Sequence, residues 1–306
     1  MSGGSARARW RRVRAVLAVA VLRLLRLLLA PLGWRGAQRI GAALGWLGWR
    51  LSRRDRGRAL EHLEIALPEL TAAERRRLAK ACFAHFGATL CECVRLLGAD
   101  ADEVRRRVRF EGWEHVEALR REGRPILILT GHCGNWELLA AALSCNGLPL
   151  DVVARQAQDA QLDEVLVGLR ARFGTRTIAR GGTGAARELL RTLRAGGTLG
   201  MLIDQDTQVE GAWVPFFGRP AYTPLGAAQI ALRQGLAVVP TFIERRDDGS
   251  HLASVQPPLA LPADAVEATA AMTQVIEDQV RRRPEQWVWM HRRWRRQPPA
   301  AAETSA

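Results

Sequence analysis

The segment Thr130-Gly-His-Cys-Gly-Asn-Trp-Glu137 sets an imidazole and a carboxylate five positions apart across a turn with glycine at 131 and 134. On one continuous helix, residues five apart stand about 140° from each other, because each residue turns about 100°. His132 and Glu137 therefore converge only if the histidine sits in the turn and the glutamate in the first turn of a following helix. Gly131 and Gly134 permit that path. An imidazole titrates near neutrality, and a carboxylate against it fixes the tautomer and stabilises the imidazolium, which makes such a pair a general base for an alcohol. Taken alone, the spacing is equally that of two side chains satisfying local backbone groups. Other site chemistries lack their residues: there is no Gly-x-Ser-x-Gly elbow, and the six histidines show no metal-ligand spacing. No metal and no cofactor is implied. Cys133 has no neighbour in sequence that would depress its pKa and reads as a bystander, not a nucleophile.

This turn follows the apolar run Pro125–Thr130, which reads as a fully buried strand, and precedes a helix over about 135–146. Further short apolar runs fall at 150–154, 175–179, 198–203, 236–243 and 251–256. Helical patterns at 111–122, 159–173, 183–195, 221–235 and 264–283 separate them. Such alternation predicts an α/β fold whose mostly parallel central sheet is covered by helices. Sites in such sheets collect beyond the carboxyl ends of strands, where His132 stands. Thr71-Ala-Ala-Glu74 is a capping box opening a helix towards Leu97. The chain divides into an amino-terminal membrane-anchoring helical segment (1–50), a helical segment (51–108), the α/β domain (109–296) and a disordered tail (297–306).

The chain has 306 residues and is 48% hydrophobic, enough for one large α/β domain with an appendage and too apolar for wholesale disorder. Its 45 Lys+Arg against 31 Asp+Glu give +14, and Lys80 is the sole lysine. The excess calls for an anionic partner: nucleic acid, lipid headgroups, or an acidic protein or substrate. A nucleic-acid-binding protein fits the arginines but lacks zinc-finger spacing and RNA-binding aromatic motifs. Five cysteines without a Cys-x-x-Cys pair argue against a disulfide framework and for a reducing compartment.

The first fifty residues favour lipid. Arg9, Arg12, Arg23 and Arg26 fall within a roughly 100° arc of a helical projection, opposite Leu17, Val21, Leu24, Leu25 and Leu28. Spanning is marginal: eleven Leu/Val over 15–34 gain ~3–7 kcal/mol while two central arginines cost ~5–7 kcal/mol. An arginine stripe opposite a leucine stripe suits a helix lying among anionic headgroups, with Trp34, Trp46 and Trp49 at the interface. A second basic-aromatic membrane contact is expected at Arg281–Arg283 and Arg292–Arg296, interleaved with Trp287, Trp289 and Trp294. The segment Trp213–Phe217 reads either as core or as a lining for an acyl chain.

Four ordered motifs carry a more specific resemblance. Gly131-His-Cys-Gly-Asn-Trp-Glu137 is followed by Ile203-Asp-Gln-Asp206, by Val214-Pro-Phe-Phe-Gly218 with Pro220, Ala221 and Thr223, and by Pro284-Glu-Gln-Trp-Val-Trp-Met-His-Arg-Arg-Trp294. Over about 110–294 the chain resembles the bacterial lipid A biosynthesis (lauroyl/myristoyl, late) acyltransferases, within the lysophospholipid acyltransferase group and its His-x4-Asp/Glu motif. The resemblance implies acyl transfer from an acyl-carrier-protein thioester to a hydroxyl of a lipid A precursor, at the cytoplasmic face of the inner membrane. It gives His132 the part of catalytic base and Glu137 that of its partner, with Gly131, Gly134, Asn135, Asp204 and Gln205 as supporting motif residues. Arg170 matches a functional arginine of the family. Arg155, Arg170 and Arg172, with Arg180, are expected to bind the oxyanion or phosphates, since guanidinium suits bidentate contact. The partners are then acyl carrier protein, anionic lipid and the lipid A precursor, with no nucleic acid. One departure bears on the acceptor: Arg155 is followed by Gln156-Ala-Gln-Asp159 and not by an Arg-x-Asn segment. The Glu-Gly-Thr-Arg motif of glycerol-phosphate acyltransferases is absent, and the same chemistry would serve another glycolipid, such as a mannosylated phosphatidylinositol.

Overall fold

A computed structural model describes residues 24–156, 159–182 and 184–298. Its amino-terminal part holds helices α1 (Gly33–Leu51), α2 (Arg53–Ala66), α3 (Ala72–Leu96) and the short α4 (Ala101–Arg107). The capping box opens α3 as expected: Thr71 Oγ1 accepts from the Glu74 N–H at 3.3 Å, and the Glu74 carboxylate accepts from the Thr71 N–H at 2.8 Å. At Gly41 and Gly45, helix α1 comes against the backbone of α3 with no side chain of its own in between. A Cβ at Gly41 would stand 2.3 Å from the Gly87 carbonyl oxygen, and one at Gly45 2.0 Å from that of Phe83, so only glycine allows this approach.

The remainder runs β1 (Val108–Glu111), α5 (Trp113–Arg121), β2 (Ile126–Thr130), α6 (Trp136–Cys145), β3 (Leu150–Ala154), α7 (Ala160–Arg172), β4 (Arg176–Ala179) and α8 (Ala185–Arg194). Then follow β5 (Thr198–Leu202), β6 (Gly211–Phe216), β7 (Arg219–Pro224), α9 (Gly226–Gln234), β8 (Ala237–Arg245), β9 (His251–Val255) and α10 (Ala265–Arg282). Seven strands form one sheet in the order β1-β9-β8-β2-β5-β3-β4. Only the β8–β9 pairing is antiparallel; the others are parallel, which bears out the mostly parallel α/β sheet. Both faces are covered, as unbroken apolar strands require. Leu127 and Leu129 of β2 belong to a core shared with Met272 and Ile276 of α10, whereas Ile126 and Ile128 face Leu139 and Leu143 of α6.

Two expectations change, and one open choice is decided. Residues 219–224 form the second strand of a β6–β7 hairpin, and the helix expected over 221–235 starts only at Gly226. Pro220 and Pro224 suit this two-stranded edge, where a missing N–H costs no central ladder bond. Within the hairpin, Val214, Phe216 and Phe217 are buried, so the segment Trp213–Phe217 is mainly core. Nor does the carboxyl-terminal cluster offer its aromatics to a membrane. Trp287, Trp289 and Trp294 are buried in the same core, Arg293 is buried, and Arg295 and Arg296 pair with Asp206.

Of the amino-terminal arginine–leucine stripe, only Leu24, Leu25, Arg26 and Leu28 lie within the described residues. Leu24, Leu27, Leu28 and Leu32 are exposed there, as are Ile40, Leu44, Trp46, Leu47 and Leu51 of α1, whereas Trp34 and Trp49 are buried. Among the described residues no helix is long and apolar enough to cross a membrane. The expected disordered tail falls almost wholly outside them.

Candidate active site

Strands β2 and β5 are parallel neighbours in the register Thr130↔Leu202. Two residues past each strand end, the same offset brings His132 level with Asp204. The His132 N–H donates to Asp204 Oδ2 at 2.7 Å, and His132 Nδ1 lies 2.8 Å from Asp204 Oδ1. A carboxylate can only accept, so Nδ1 carries the proton and Nε2 is left as the basic ring nitrogen. Trp287 Nε1 donates to Asp204 Oδ2 at 2.8 Å. Burial alone would raise the Asp204 carboxyl, but the facing imidazole and these hydrogen bonds hold it far below the usual carboxylate range. Gly131 leaves room for the pair: a Cβ there would come within 3.1 Å of Asp204 Oδ2.

Glu137 stands in the first turn of α6, as expected, but it does not hold the imidazole. Both its oxygens accept from Arg170 of α7, from Nε at 2.9 Å and from Nη2 at 2.6 Å. The fork geometry of guanidinium matches both carboxylate oxygens at once, and that bidentate contact occupies Glu137. The carboxylate behind His132 is therefore Asp204, and the expected His132–Glu137 pair resolves into two pairs sharing one cavity.

That cavity, about 460 Å³, is lined by His132, Trp136, Glu137, Arg155, Arg170, Arg180 and Gln205, together with Asp206, Thr207, His291 and Arg295. The His132 side chain is 22% exposed in it, while Asp204 behind is fully buried. Trp136 meets the imidazole edge-on, with ring centroids 4.8 Å apart. Arg155 and Arg170 thus reach the cavity, as expected. Arg172 does not: its Nε donates to the Ala99 carbonyl at 3.0 Å. A second, apolar cavity of about 300 Å³ adjoins the first through Val153, Arg180 and Leu202 and runs between Ala185, Leu189, Ala227 and Ile230.

Two amides of the turn are already spent, which narrows the expected backbone oxyanion donors. The His132 N–H goes to Asp204, and the Gly134 N–H to the Gln286 carbonyl at 2.9 Å. Cys133 pairs with Trp287 in a β-bridge and is buried, and burial pushes its thiol well above the ordinary value. Asn135, fully buried, caps α6 by accepting from the Leu138 N–H at 3.0 Å. His291 is pushed down to about 4 by burial and is neutral at physiological pH. Sequence reasoning carried Asp204 only as a motif residue and gave Trp287 no part in the site. The equal offset of two strand ends was the available signal for Asp204.

The family model for the bacterial lipid A biosynthesis acyltransferases matches residues 6–296. The chain belongs to this family. Among its relatives, the lipid A biosynthesis acyltransferase of Haemophilus influenzae is 26% identical, over 86% of this chain and 83% of that protein. The lipid A biosynthesis lauroyltransferase of Escherichia coli is 27% identical over 85% of each chain. A phosphatidylinositol mannoside acyltransferase of Mycobacterium tuberculosis is 26% identical, over 60% of this chain and 58% of its own. The family match takes in all four motifs, of which the first, second and fourth meet at His132, Asp204 and Trp287.

Proposed function

We propose that the protein transfers a fatty acyl chain from an acyl-carrier-protein thioester to a hydroxyl of a lipid A precursor. The observation that carries this reading is the buried Asp204 carboxylate against Nδ1 of a partly exposed His132, which leaves Nε2 to serve as base in an arginine-lined cavity. Nε2 takes the proton of the acceptor hydroxyl as its oxygen bonds to the thioester carbon. The tetrahedral oxyanion collapses, the C–S bond breaks, and the departing sulfur takes the proton back from Nε2, which releases the thiol and restores the neutral imidazole. Asp204 stabilises the imidazolium between the two steps, within the ~10²–10⁴ expected of positioned general-base catalysis. No enzyme nucleophile is needed. Arg170, fixed by Glu137, and Arg180 supply charged N–H groups for the oxyanion and for phosphates. The apolar cavity beside Arg180 takes the acyl chain.

The donor is an acidic carrier protein and the acceptor a phosphorylated lipid, which gives the +14 chain two anionic partners. Ile40, Leu44, Leu47 and Leu51 recur along one exposed face of α1 and rest on the anionic cytoplasmic face of the inner membrane. Likeness to the mannoside acyltransferase favours one second reading, an acceptor that is a mannosylated phosphatidylinositol. Purified protein incubated with acyl-carrier-protein thioesters should acylate a tetra-acylated lipid A precursor, and H132A should not. Transfer only to phosphatidylinositol mannoside would select the second reading. Equal transfer by H132A would remove His132 from the mechanism.

A further inference from the structure

Directly beneath the turn 131–136 lies an ion pair that the acyl-transfer chemistry does not use. Glu92 of α3 is fully buried, and Arg245, at the end of β8, holds it with two parallel bonds, Nε to Oε1 at 2.8 Å and Nη2 to Oε2 at 2.7 Å. Glu92 Oε1 also accepts from Gln38 Nε2 at 2.7 Å, and Oε2 accepts from Asn135 Nδ2 at 2.9 Å. Its acceptor sites are thus filled by four bonds from three residues, on α1, on β8 and at the start of α6. His251 Nε2 stands 3.2 Å from Oε1 without hydrogen-bond alignment.

Both arms of this pair end on the turn. Asn135 spends its amide on Glu92 and its oxygen on the Leu138 N–H, so the buried carboxylate sets the start of α6, the helix that carries Glu137. The second arm runs through His85. Arg245 Nη1 can only donate, so His85 Nδ1, 2.8 Å away, is the acceptor and the His85 proton resides on Nε2. That Nε2–H is shared between the Gly134 carbonyl and Thr89 Oγ1, each 3.3 Å away. Arg245 is also bound at its own backbone: its N–H donates to Gln286 Oε1, and its carbonyl accepts from Gln286 Nε2. Gln286 precedes Trp287, the indole on Asp204. A surface loop would need none of this; an isolated buried carboxylate without such partners would not remain ionised.

We infer that Glu92 and Arg245 are positioning residues of the acyl-transfer site, holding the turn between His132 and Glu137 through Asn135 and through His85. This inference rests on the proposed function for its kinetic test and on geometry alone for its chemical one. Replacing Glu92 by glutamine places an amide donor against Asn135 Nδ2 or Arg245, and the turn loses its anchor. Misplacement of a reacting group by about 1 Å costs on the order of 10²-fold, so E92Q should lower kcat per folded molecule by at least about tenfold, with KM for the acyl-carrier-protein thioester within about twofold. N135D alone sets two carboxylates together and should also lose activity. The double variant E92Q/N135D restores a donor facing an acceptor and keeps the cap on Leu138; it should recover most of the lost kcat.

The chemical readout is the rate at which diethyl pyrocarbonate modifies His132, followed by peptide mass spectrometry on variants shown to be folded by circular dichroism. It should rise severalfold in E92Q and return towards wild type in the double variant. Unchanged kcat and unchanged modification in folded E92Q would overturn the inference. So would failure of the double variant to recover either quantity. Changed modification in a protein that transfers no acyl chain would leave the positioning of the turn standing and remove the proposed function instead.

Discussion

Trp287 and the backbone of His132 share one oxygen of Asp204: the indole Nε1–H and the His132 N–H both donate to Oδ2, at 2.8 Å and 2.7 Å, while Oδ1 is left to the imidazole. The carboxylate therefore cannot rotate away from Nδ1 without breaking two further bonds. Replacing it by the isosteric amide puts a donor or a weaker acceptor against each partner. D204N should lower kcat by about 10²–10⁴, and W287F, which removes one donor, by about tenfold. Steady-state acyl transfer on folded protein checks both, and a D204N enzyme with wild-type kcat would exclude Asp204 from the reaction.

Cys133 adjoins His132 in sequence, but its thiol is buried and resists ionisation. C133A should retain acyl transfer within about threefold, since a buried thiol held far above neutral pKa supplies almost no thiolate. Intact-protein mass spectrometry during turnover should detect no acyl adduct on the wild type. An adduct that disappears in C133A would replace direct transfer with a covalent route.

Acid should weaken the fold in two stages. Burial together with Arg245 pushes His85 down to about 3, and burial pushes His291 down to about 4, so both stay neutral in the fold while the unfolded chain protonates them near pH 6.5. Their contribution is complete above that pH and is lost as pH falls towards 4, by at most roughly 1.4 kcal/mol per pH unit for each group. Asp204 and Glu92, held below the ordinary carboxylate range, keep their contribution down to about pH 4 and lose it below. Urea midpoints should thus begin to fall below pH 6.5, well before the contribution of Asp204 and Glu92 is lost. H291N should flatten the first stage, and a midpoint constant from pH 8 to 5 would contradict the assignment.

The apolar cavity predicts chain-length behaviour. Ala185 of α8 lines it, and leucine there adds about three carbons of bulk. Each methylene excluded from burial costs about 0.8 kcal/mol, close to fourfold. A185L should shift the preferred thioester towards a chain shorter by about two to three carbons, read as kcat/KM across a C10–C16 series. An unshifted profile would move the acyl chain elsewhere.

For the membrane, L44E/L47E should weaken binding of the full chain to phosphatidylglycerol vesicles by about tenfold or more, given 1.5–3 kcal/mol for each buried leucine. Sedimentation with vesicles measures this. Unchanged binding would assign attachment to residues outside α1.

Much of the fold was legible because its signals are local. Ile126-Leu-Ile-Leu129 announces a buried strand, Thr71 and Glu74 announce a helix start, and β3 lies at its expected residues 150–154. The hairpin β6–β7 escaped notice because Ala221 and the alanines after it read as helix, while its pairing is with residues 211–216. The site was legible to the same extent. His132 and Glu137 could be placed by backbone geometry, one in the turn and one in the helix. Their partners could not: Arg170 lies 33 residues beyond Glu137, and Asp204 lies 72 beyond His132. Closeness in sequence suggests a histidine and a glutamate as partners, yet each has a stronger one across the sheet. Knowing that β2 and β5 are neighbours in register would have supplied Asp204, and strand order is not a local property.

Gly41 and Gly45 let α1 lie backbone to backbone on α3, and α3 carries Glu92, on which the turn 131–136 rests through Asn135. That backbone contact and the Glu92–Asn135 bond join the exposed apolar face of α1 to the turn that holds His132. If α1 floats in a lipid leaflet, the protein rides like a hull with a fixed waterline: His132 stands at one set height above the acyl tails, and whatever reacts there has to climb to meet it.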